Sequence, residues 1–250
     1  PELDGPTFMG PGPVGPPYSR DDLDGLAALG ANYVNVSHPG LFTETPPYVL
    51  DQDVEDNLDN LLGMIAKADM FAVIGFRTGP GRSEFTFMIE DVGDWFDESY
   101  FDDAVWGDQA AQNAWVSMWR HAAQRYRDNP IVVGYDLMVE PNSNEVGSDA
   151  VSDPLDIWDP EEFYAEHEGS LYDWNQFHPR ITSAIREVDG RTPLLKEGVR
   201  PSGVLSRIRR VQSCNEIGWK LLRLGLSGDL RIDRAVHDPQ IGNRSAEFIV

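Results

Sequence analysis

The stretch WVSMWRHAAQRYRDNPIVVGYDLMVEPN (115–142) decides the fold of this chain. Its first half repeats apolar residues at the spacing of one helix face, and its second half, IVVGYDLMV (131–139), is almost continuously apolar. A strand that is apolar on both faces is typical of a parallel sheet covered by helices. The polar residues Glu140 and Asn142 follow that strand directly. The stretch therefore predicts a helix, a buried strand and a polar strand end.

The same helix-then-strand unit recurs along the chain. The patterns predict helices over 19–30, 53–69, 111–130 and 174–190, and strands over 32–37, 70–76, 131–139 and 192–198. Helices and strands that alternate in this way indicate a parallel sheet with helices packed on it. Periodicity alone leaves a closed barrel and an open doubly wound sheet as alternatives.

The residues that follow the strands favour the barrel. Nucleotide-binding sheets carry glycine-rich phosphate loops, but the GPGR segment (79–82) has no lysine followed by Ser or Thr. Polar residues instead gather just after the strands, at His38, Arg77, Glu140 and Glu197. This placement is typical of the functional face of a (β/α)8 barrel.

Composition restricts the partners. The chain has 42 acidic and 20 basic residues, which gives a formal net charge of −22. Such a surface opposes binding to nucleic acid and anionic membranes, and it is typical of a salty or extracellular setting. No run approaches the roughly 18 apolar residues of a membrane span. We therefore expect a soluble monomer without nucleic-acid or membrane partners. A secreted or extracellular location is favoured, although the chain begins without a signal-peptide pattern.

Metal and disulfide chemistry find little support. Cys214 is the only cysteine, which excludes an internal disulfide and a metal site built from several cysteines. The five histidines are scattered, whereas a metal-dependent barrel hydrolase would need His and Asp clustered at the strand ends. We expect no metal and no cofactor.

Glu140 is the candidate catalytic residue. Its carboxyl lies at a strand mouth between the apolar residues Val139 and Pro141, where partial desolvation would favour the protonated form and make it a proton donor. The alternative is a structural glutamate that pairs with Arg77 or Arg82, which would favour the charged form instead.

At this point the sequence resembles a known family. The run 115–142 resembles the fourth helix-strand unit of glycoside hydrolase family 5, the cellulase and mannanase family. In that unit a Tyr-x-x-Asn-Pro turn leads to a strand that delivers Asn-Glu-Pro. LAALGANYVNVS (26–37) resembles the family's second strand and preceding helix, and ITSAIREVDGRTPLLKEG (181–198) its fifth. The resemblance covers about residues 19–200. It implies an incomplete (β/α)8 TIM barrel in which strands two to five are clear.

The resemblance implies hydrolysis of a β-linked polysaccharide with retention. Glu140 would serve as general acid and base, and a second carboxylate about 5–5.5 Å away would be the nucleophile. We find no convincing nucleophile in this chain. Glu247 is compatible by spacing, but His237, which resembles the family's sixth-strand histidine, precedes it too closely for a helix to fit between them.

Two positions depart from the family pattern. Val139 stands where the family has the Asn that contacts the sugar 2-hydroxyl, and Asn35 stands where it has an Arg that supports the nucleophile. A catalytically inactive barrel that binds carbohydrate, or a non-functional fragment, therefore remains an alternative to an enzyme.

Several polar residues are candidates for substrate binding because they occupy or follow strand ends. They are Asn35, His38, Arg77, Arg82 and Asn142. The structural alternatives are that His38 has no role in binding and that the segment from Arg77 to Arg82 is only a turn shaped by its glycines. Trp106 and Trp174 could stack on sugar rings or merely pack in the core, whereas Trp115 and Trp119 are one helical turn apart and should be core residues.

The composition changes sharply after residue 198. Residues 1–198 hold 37 acidic and 11 basic residues, whereas 199–250 hold 5 and 9. We therefore predict that 1–198 is the N-terminal part of a barrel and that 199–250 is an atypical Arg-rich tail. A reading-frame error in a GC-rich gene, a divergent natural tail and a truncated domain are the alternatives for that tail.

Overall fold

The described part of the chain contains one parallel sheet. The structure is a computed structural model, and it describes residues 18–83, 102–144, 157 and 159–196. The strands are β1 (Tyr33–His38), β2 (Phe71–Phe76), β3 (Val132–Asp136) and β4 (Leu194–Leu195). They pair in the order β1-β2-β3-β4, and every pairing is parallel.

This strand order decides between the two predicted architectures. A doubly wound sheet reverses its strand order at a switch point, whereas a barrel adds each new strand beside the last one. The four strands follow one another without reversal, and one register row runs from Ser37 through Gly75 and Asp136 to Leu195. The sheet is therefore part of a (β/α) barrel, as predicted.

Each strand follows a helix. The helices are α1 (Arg20–Ala28), α2 (Gln52–Lys67), α3 (Gln109–Tyr126), α4 (Pro160–His167) and α5 (Trp174–Val188), and a short 3-10 helix spans Ala104–Trp106. Four of them confirm the predicted helices. Helix α4 was not predicted, although Asp159 caps it, proline occupies its first turn and two glutamates follow. Those features are a known helix-start signal.

Acidic residues begin most of these helices. Ser19 caps α1 in a capping box with Asp22, and aspartates cap the four others: Asp51, Asp108, Asp159 and Asp173. Each side chain accepts from backbone amides that would otherwise lack a partner. Part of the acidic surplus therefore has a local structural use.

The central strands β2 and β3 are apolar on both faces. One face packs under the helices in a core that includes Val34, Ile74, Trp119 and Tyr135. Within this core the ring centroids of Trp119 lie 4.6 Å from Phe76 and 5.6 Å from Tyr135. The other face carries a smaller cluster of Val73 and Val133 with Phe71 and Leu195 against it. This two-sided burial confirms the prediction made from the apolar runs.

Two predicted features need correction. The third strand ends at Asp136 instead of 139, because the chain turns away from the strand direction there. The backbone amides of Leu137 and Val139 still donate to the neighbouring strands. Trp106 and Trp174 are completely or almost completely buried, and with Phe177 they form an edge-to-face cluster. They therefore pack in the core and do not offer faces to sugars. The atypical tail and residues Glu197, His237 and Glu247 lie outside the described residues.

Candidate active site at the carboxyl ends of the strands

Three successive strand ends meet through side chains. Arg77, directly after β2, donates from Nη1 to Oε2 of Glu140 over 2.9 Å. The same guanidinium donates from Nε to the Ser37 hydroxyl on β1 over 3.3 Å. Carboxyl ends of parallel strands share one edge of the sheet, so the residues that follow β1, β2 and β3 become neighbours. Ser37 belongs to the polar residues that the sequence places at the strand ends, and it joins this site through Arg77.

The carboxylate of Glu140 is more accessible than its apolar neighbours implied. Its side chain is 44% exposed, whereas that of Arg77 is 19% exposed. Val139 is buried, but it does not cover the carboxylate. The expected desolvation is therefore wrong, and the alternative pairing with Arg77 is what the structure contains. An exposed pair of this kind contributes only about 0–1 kcal/mol to stability.

Glu140 also has an unusual backbone. Its φ is +51°, in the left-handed region that a residue with a β-carbon occupies at a cost of about 1–2 kcal/mol. Such conformations persist where the surroundings enforce them, and they concentrate at functional sites. The sequence does not predict this left-handed conformation, because the position holds neither glycine nor asparagine.

A buried arginine holds this backbone. Arg82 is 1% exposed, and its Nη1 donates to the carbonyls of Val139 over 2.9 Å and Arg77 over 2.5 Å. Its Nη2 donates to the carbonyl of Glu140 over 2.6 Å and approaches Oδ1 of Asn142 at 3.4 Å. The expected contact between Arg82 and substrate is therefore unsupported, because the guanidinium faces main-chain oxygens inside the protein.

Two indoles fix the chain just before the site. The ring nitrogens of Trp115 and Trp119 both donate to the Leu137 carbonyl, over 3.3 Å and 2.8 Å. Both tryptophans are fully buried, which confirms them as core residues. Their spacing of one helical turn lets them reach the same oxygen. The segment from Leu137 to Glu140 is thus anchored from the helix layer as well as from Arg82.

The remaining candidates lie in different places. Asn35 is half-buried on the same face of β1 as Ser37, while His38 is 3% exposed and alternates with the core residues Val34 and Val36. Nδ1 of His38 lies 2.9 Å from the Pro39 carbonyl, and burial lowers the pKa of this histidine to about 4. This location opposes the expected sugar contact for His38. Alternation along the strand already indicated it.

Asn142 lies behind the carboxylate. It is buried, its Oδ1 faces Arg82, and its Nδ2 finds no hydrogen-bond partner within the described part of the chain. A buried amide with an unused donor is uncommon. Its role in substrate binding stays a prediction.

The described residues contain neither a metal-binding cluster nor a helix able to cross a membrane. Across 18–83, 102–144, 157 and 159–196, no three His, Cys, Asp or Glu side chains are grouped as a metal site requires. In those same ranges no helix has both the length and the apolarity of a membrane crossing.

The strands are parallel and follow one another in sequential order, and polar groups converge at their carboxyl ends. These features define the class of (β/α) barrels, whose enzymes carry their active sites at that face. Within that class, the chain belongs to the family described as Cellulase (glycosyl hydrolase family 5), whose model matches residues 8–218. The predicted resemblance is therefore confirmed.

Solved structures show the same fold at low identity. Endo-glycoceramidase II from Rhodococcus sp. is 22% identical with a TM-score of 0.52, over 76% of this chain and 45% of that protein. Cel5A from Thermotoga maritima, solved with cellobiose, is 14% identical with a TM-score of 0.53, over 84% of this chain and 55% of that protein. This chain thus spans about half of each.

A curated relative matches over a shorter segment. A beta-xylosidase from Phanerodontia chrysosporium is 28% identical over 131 residues, which are 50% of this chain and 25% of that protein.

Proposed function

We propose that this chain carries the acid/base half of a retaining glycoside hydrolase site that acts on β-linked polysaccharide. The observation that carries the proposal is the accessible carboxylate of Glu140, which is held at a strand end by Arg77 and by a constrained backbone. Family membership supports the reaction class. The beta-xylosidase relative and the cellobiose complex of Cel5A support a β-linked sugar as substrate.

The chemistry assigns two tasks to Glu140. In the first step it protonates the leaving glycosidic oxygen while a nucleophilic carboxylate attacks the anomeric carbon. In the second step it removes a proton from the water that hydrolyses the glycosyl-enzyme intermediate. The pair with Arg77 gives the Glu140 carboxylate a charge-assisted hydrogen-bond donor that holds it at the strand end. We assign the nucleophile to none of the described residues.

Asn35, Arg77 and Asn142 are the proposed substrate contacts. Asn35 lies within β1, Arg77 follows the adjacent strand β2, and Asn142 lies two residues beyond Glu140. We also retain the proposals of a monomer and of no nucleic-acid partner, which are supported by the charge of −22.

The test is turnover of β-glucan and β-mannan by the full chain, compared with its Glu140→Gln variant. Release of reducing sugar that Glu140→Gln abolishes is the expected result. Glu187→Gln is the matched control, because Glu187 also pairs with an arginine, Arg120 at 3.2 Å, but on the helix layer. Equal activity of Glu140→Gln and the wild type would refute the proposal.

A second function has its own support. Val139 and Asn35 replace the Asn and Arg that the family resemblance implies at these positions, which favours a barrel that binds carbohydrate without cleaving it. Calorimetry with cello- and manno-oligosaccharides separates the two functions. Saturable binding without turnover, unchanged in Glu140→Gln, would establish the binding function instead.

A further inference from the structure

We propose that Arg82 is a positioning residue that sets the backbone conformation of Glu140 and thereby aims its carboxylate. This inference rests on the proposed function, since it concerns the same carboxylate. The guanidinium of Arg82 donates to main-chain carbonyls on both sides of the site, at Arg77, Val139 and Glu140.

The direction of these carbonyls carries the argument. In an extended strand, successive carbonyls point to opposite sides. The carbonyls of Val139 and Glu140 instead converge on one guanidinium, over 2.9 Å and 2.6 Å. Convergence requires a helical type of backbone at the residue between them, and the left-handed φ of +51° at Glu140 supplies it. Arg82 therefore selects the conformation that glutamate would otherwise avoid.

The second strand end is tied to the same group. Nη1 of Arg82 also donates to the carbonyl of Arg77 over 2.5 Å, and Arg77 is the residue whose side chain bonds the Glu140 carboxylate. One planar guanidinium thus fixes the backbones of both members of the ion pair. Only arginine offers several donors in a rigid fork, whereas lysine offers a single flexible ammonium.

The loop that carries Arg82 is itself fixed. Gly79 and Arg82 exchange two backbone hydrogen bonds, over 3.0 Å and 2.9 Å, and Gly81 is bonded to Glu44 and Val105 over 2.8 Å and 2.7 Å. Gly81 has a φ of +68°, and a β-carbon there would lie 2.6 Å from that of Ala111. The backbone on which Arg82 sits therefore has little freedom, so the guanidinium can impose its geometry on Glu140.

The test compares two arginines that bind carbonyls. Arg186 donates to the carbonyls of Asp189 and Thr192, each over 2.8 Å, in the turn before β4 and away from the strand ends. Arg82→Lys should lower kcat by about 10- to 100-fold, with KM within about twofold, because misplacing a catalytic group by about 1 Å has effects of this size. Arg186→Lys should leave kcat within about twofold even if its melting temperature falls equally.

A crystal structure of Arg82→Lys gives a readout that does not depend on activity. We expect the φ of Glu140 to leave the left-handed region in this variant and to stay there in Arg186→Lys. Retention of the left-handed φ in Arg82→Lys, or an unchanged kcat, would overturn the proposal. If the wild type hydrolyses nothing, the proposed function fails, whereas the comparison of φ still tests Arg82.

Chemical rescue covers the case in which Arg82→Lys does not fold. Millimolar guanidinium should restore the left-handed φ of Glu140, and kcat where the wild type is active, to Arg82→Ala, because the added ion can occupy the vacated carbonyl site. In Arg186→Ala both quantities should already be those of the wild type, and guanidinium should change neither. Absence of rescue in Arg82→Ala, or equal rescue in both, would contradict a specific positioning role.

Discussion

Two charged clusters of this molecule both contain arginines and carboxylates but have different roles. The strand-end cluster consists of Arg77, Arg82 and Glu140. The helix-layer cluster joins α2 to α3 and consists of Glu55, Asp59, His121, Arg125 and Tyr126. Each brings arginines and carboxylates from distant parts of the sequence together.

The helix-layer cluster bonds side chain to side chain around a buried carboxylate. The Glu55 side chain is 3% exposed and lies 2.6 Å from Nε2 of His121 and 3.4 Å from Nη1 of Arg125. Arg125 and Tyr126 both donate to Asp59. Burial, followed by the bond to Asp59, raises the pKa of Tyr126 above its ordinary value.

The strand-end cluster reverses this arrangement. Arg82 is buried, the carboxylate of Glu140 is exposed, and most of the hydrogen bonds of Arg82 go to the main chain. A buried carboxylate with charged partners contributes to the fold, whereas an exposed carboxylate on a strained backbone adds little stability and is available for chemistry. The contrast predicts that the two clusters respond oppositely to mutation.

The largest expected effect concerns leaving groups. Glu140→Gln should lower turnover of a natural glycoside by about 10³-fold, because general acid catalysis contributes factors of this order. With an activated aryl glycoside, whose leaving group needs no proton, the first step should proceed at nearly the wild-type rate. Burst kinetics on both substrates measure this difference. An equal loss on both would show that Glu140 binds substrate and does not transfer a proton.

The next effect concerns stability and should belong to the helix-layer cluster. Glu55→Ala removes the charge-assisted bonds of Glu55 to His121 and Arg125 and should lower the free energy of unfolding by about 1.5–3 kcal/mol. Glu140→Ala should lower it by no more than about 1 kcal/mol. Urea denaturation at neutral pH compares the two variants. Similar losses would remove the distinction between the clusters.

A pH effect should come from two buried histidines, His38 and His178. Burial lowers the pKa of His38 to about 4, and burial together with the charge of Lys196 does the same for His178. The unfolded chain, with ordinary values near 6.5, binds more protons between these limits. Stability is therefore complete above pH 6.5 and falls as the pH drops towards 4, by roughly 1–2 kcal/mol per histidine between pH 7 and 5.

Replacement of His38 tests this contribution. His38→Gln should show a smaller stability loss between pH 7 and 5 than the wild type, by roughly 1–2 kcal/mol in urea denaturation. An identical loss in the two proteins would mean that His38 gains a proton as readily in the folded state as in the unfolded chain.

The smallest effect isolates the backbone strain. Glu140→Gly and Glu140→Ala both remove the carboxylate, but only glycine accepts a φ of +51° freely, so the glycine variant should be more stable by about 1 kcal/mol. Asp69, with a φ of +59° in the turn between α2 and β2, provides the control pair. The same gain at Asp69 would show that the difference in stability comes from the left-handed φ, and no gain at Glu140 would contradict the strain there.

The sequence predicted the helix-strand units well because amphipathic helices and doubly apolar runs are local patterns. The pairing of Arg77 with Glu140 was foreseen as an alternative, since carboxyl ends of parallel strands converge. The end of β3 was misplaced, because the turn at Leu137 depends on indoles from α3. No local sequence pattern predicts such tertiary contacts.

The buried position of Arg82 was also beyond the sequence. It depends on three carbonyls that converge only after two strand ends have turned. His38 is a different case, because its alternation with Val34 and Val36 already indicated the core side of β1.

The glycines around the site limit how new specificities could arise. A β-carbon on Gly40 would lie 2.6 Å from the Thr78 carbonyl, and one on Gly79 would lie 2.6 Å from the Trp115 ring. Almost any substitution there would push the loop after β2 away from its neighbours and take Arg82 with it. Directed evolution of this barrel should therefore leave that loop unchanged and find its useful variation at Asn35 and Ser37, whose half-buried side chains can change without moving a backbone.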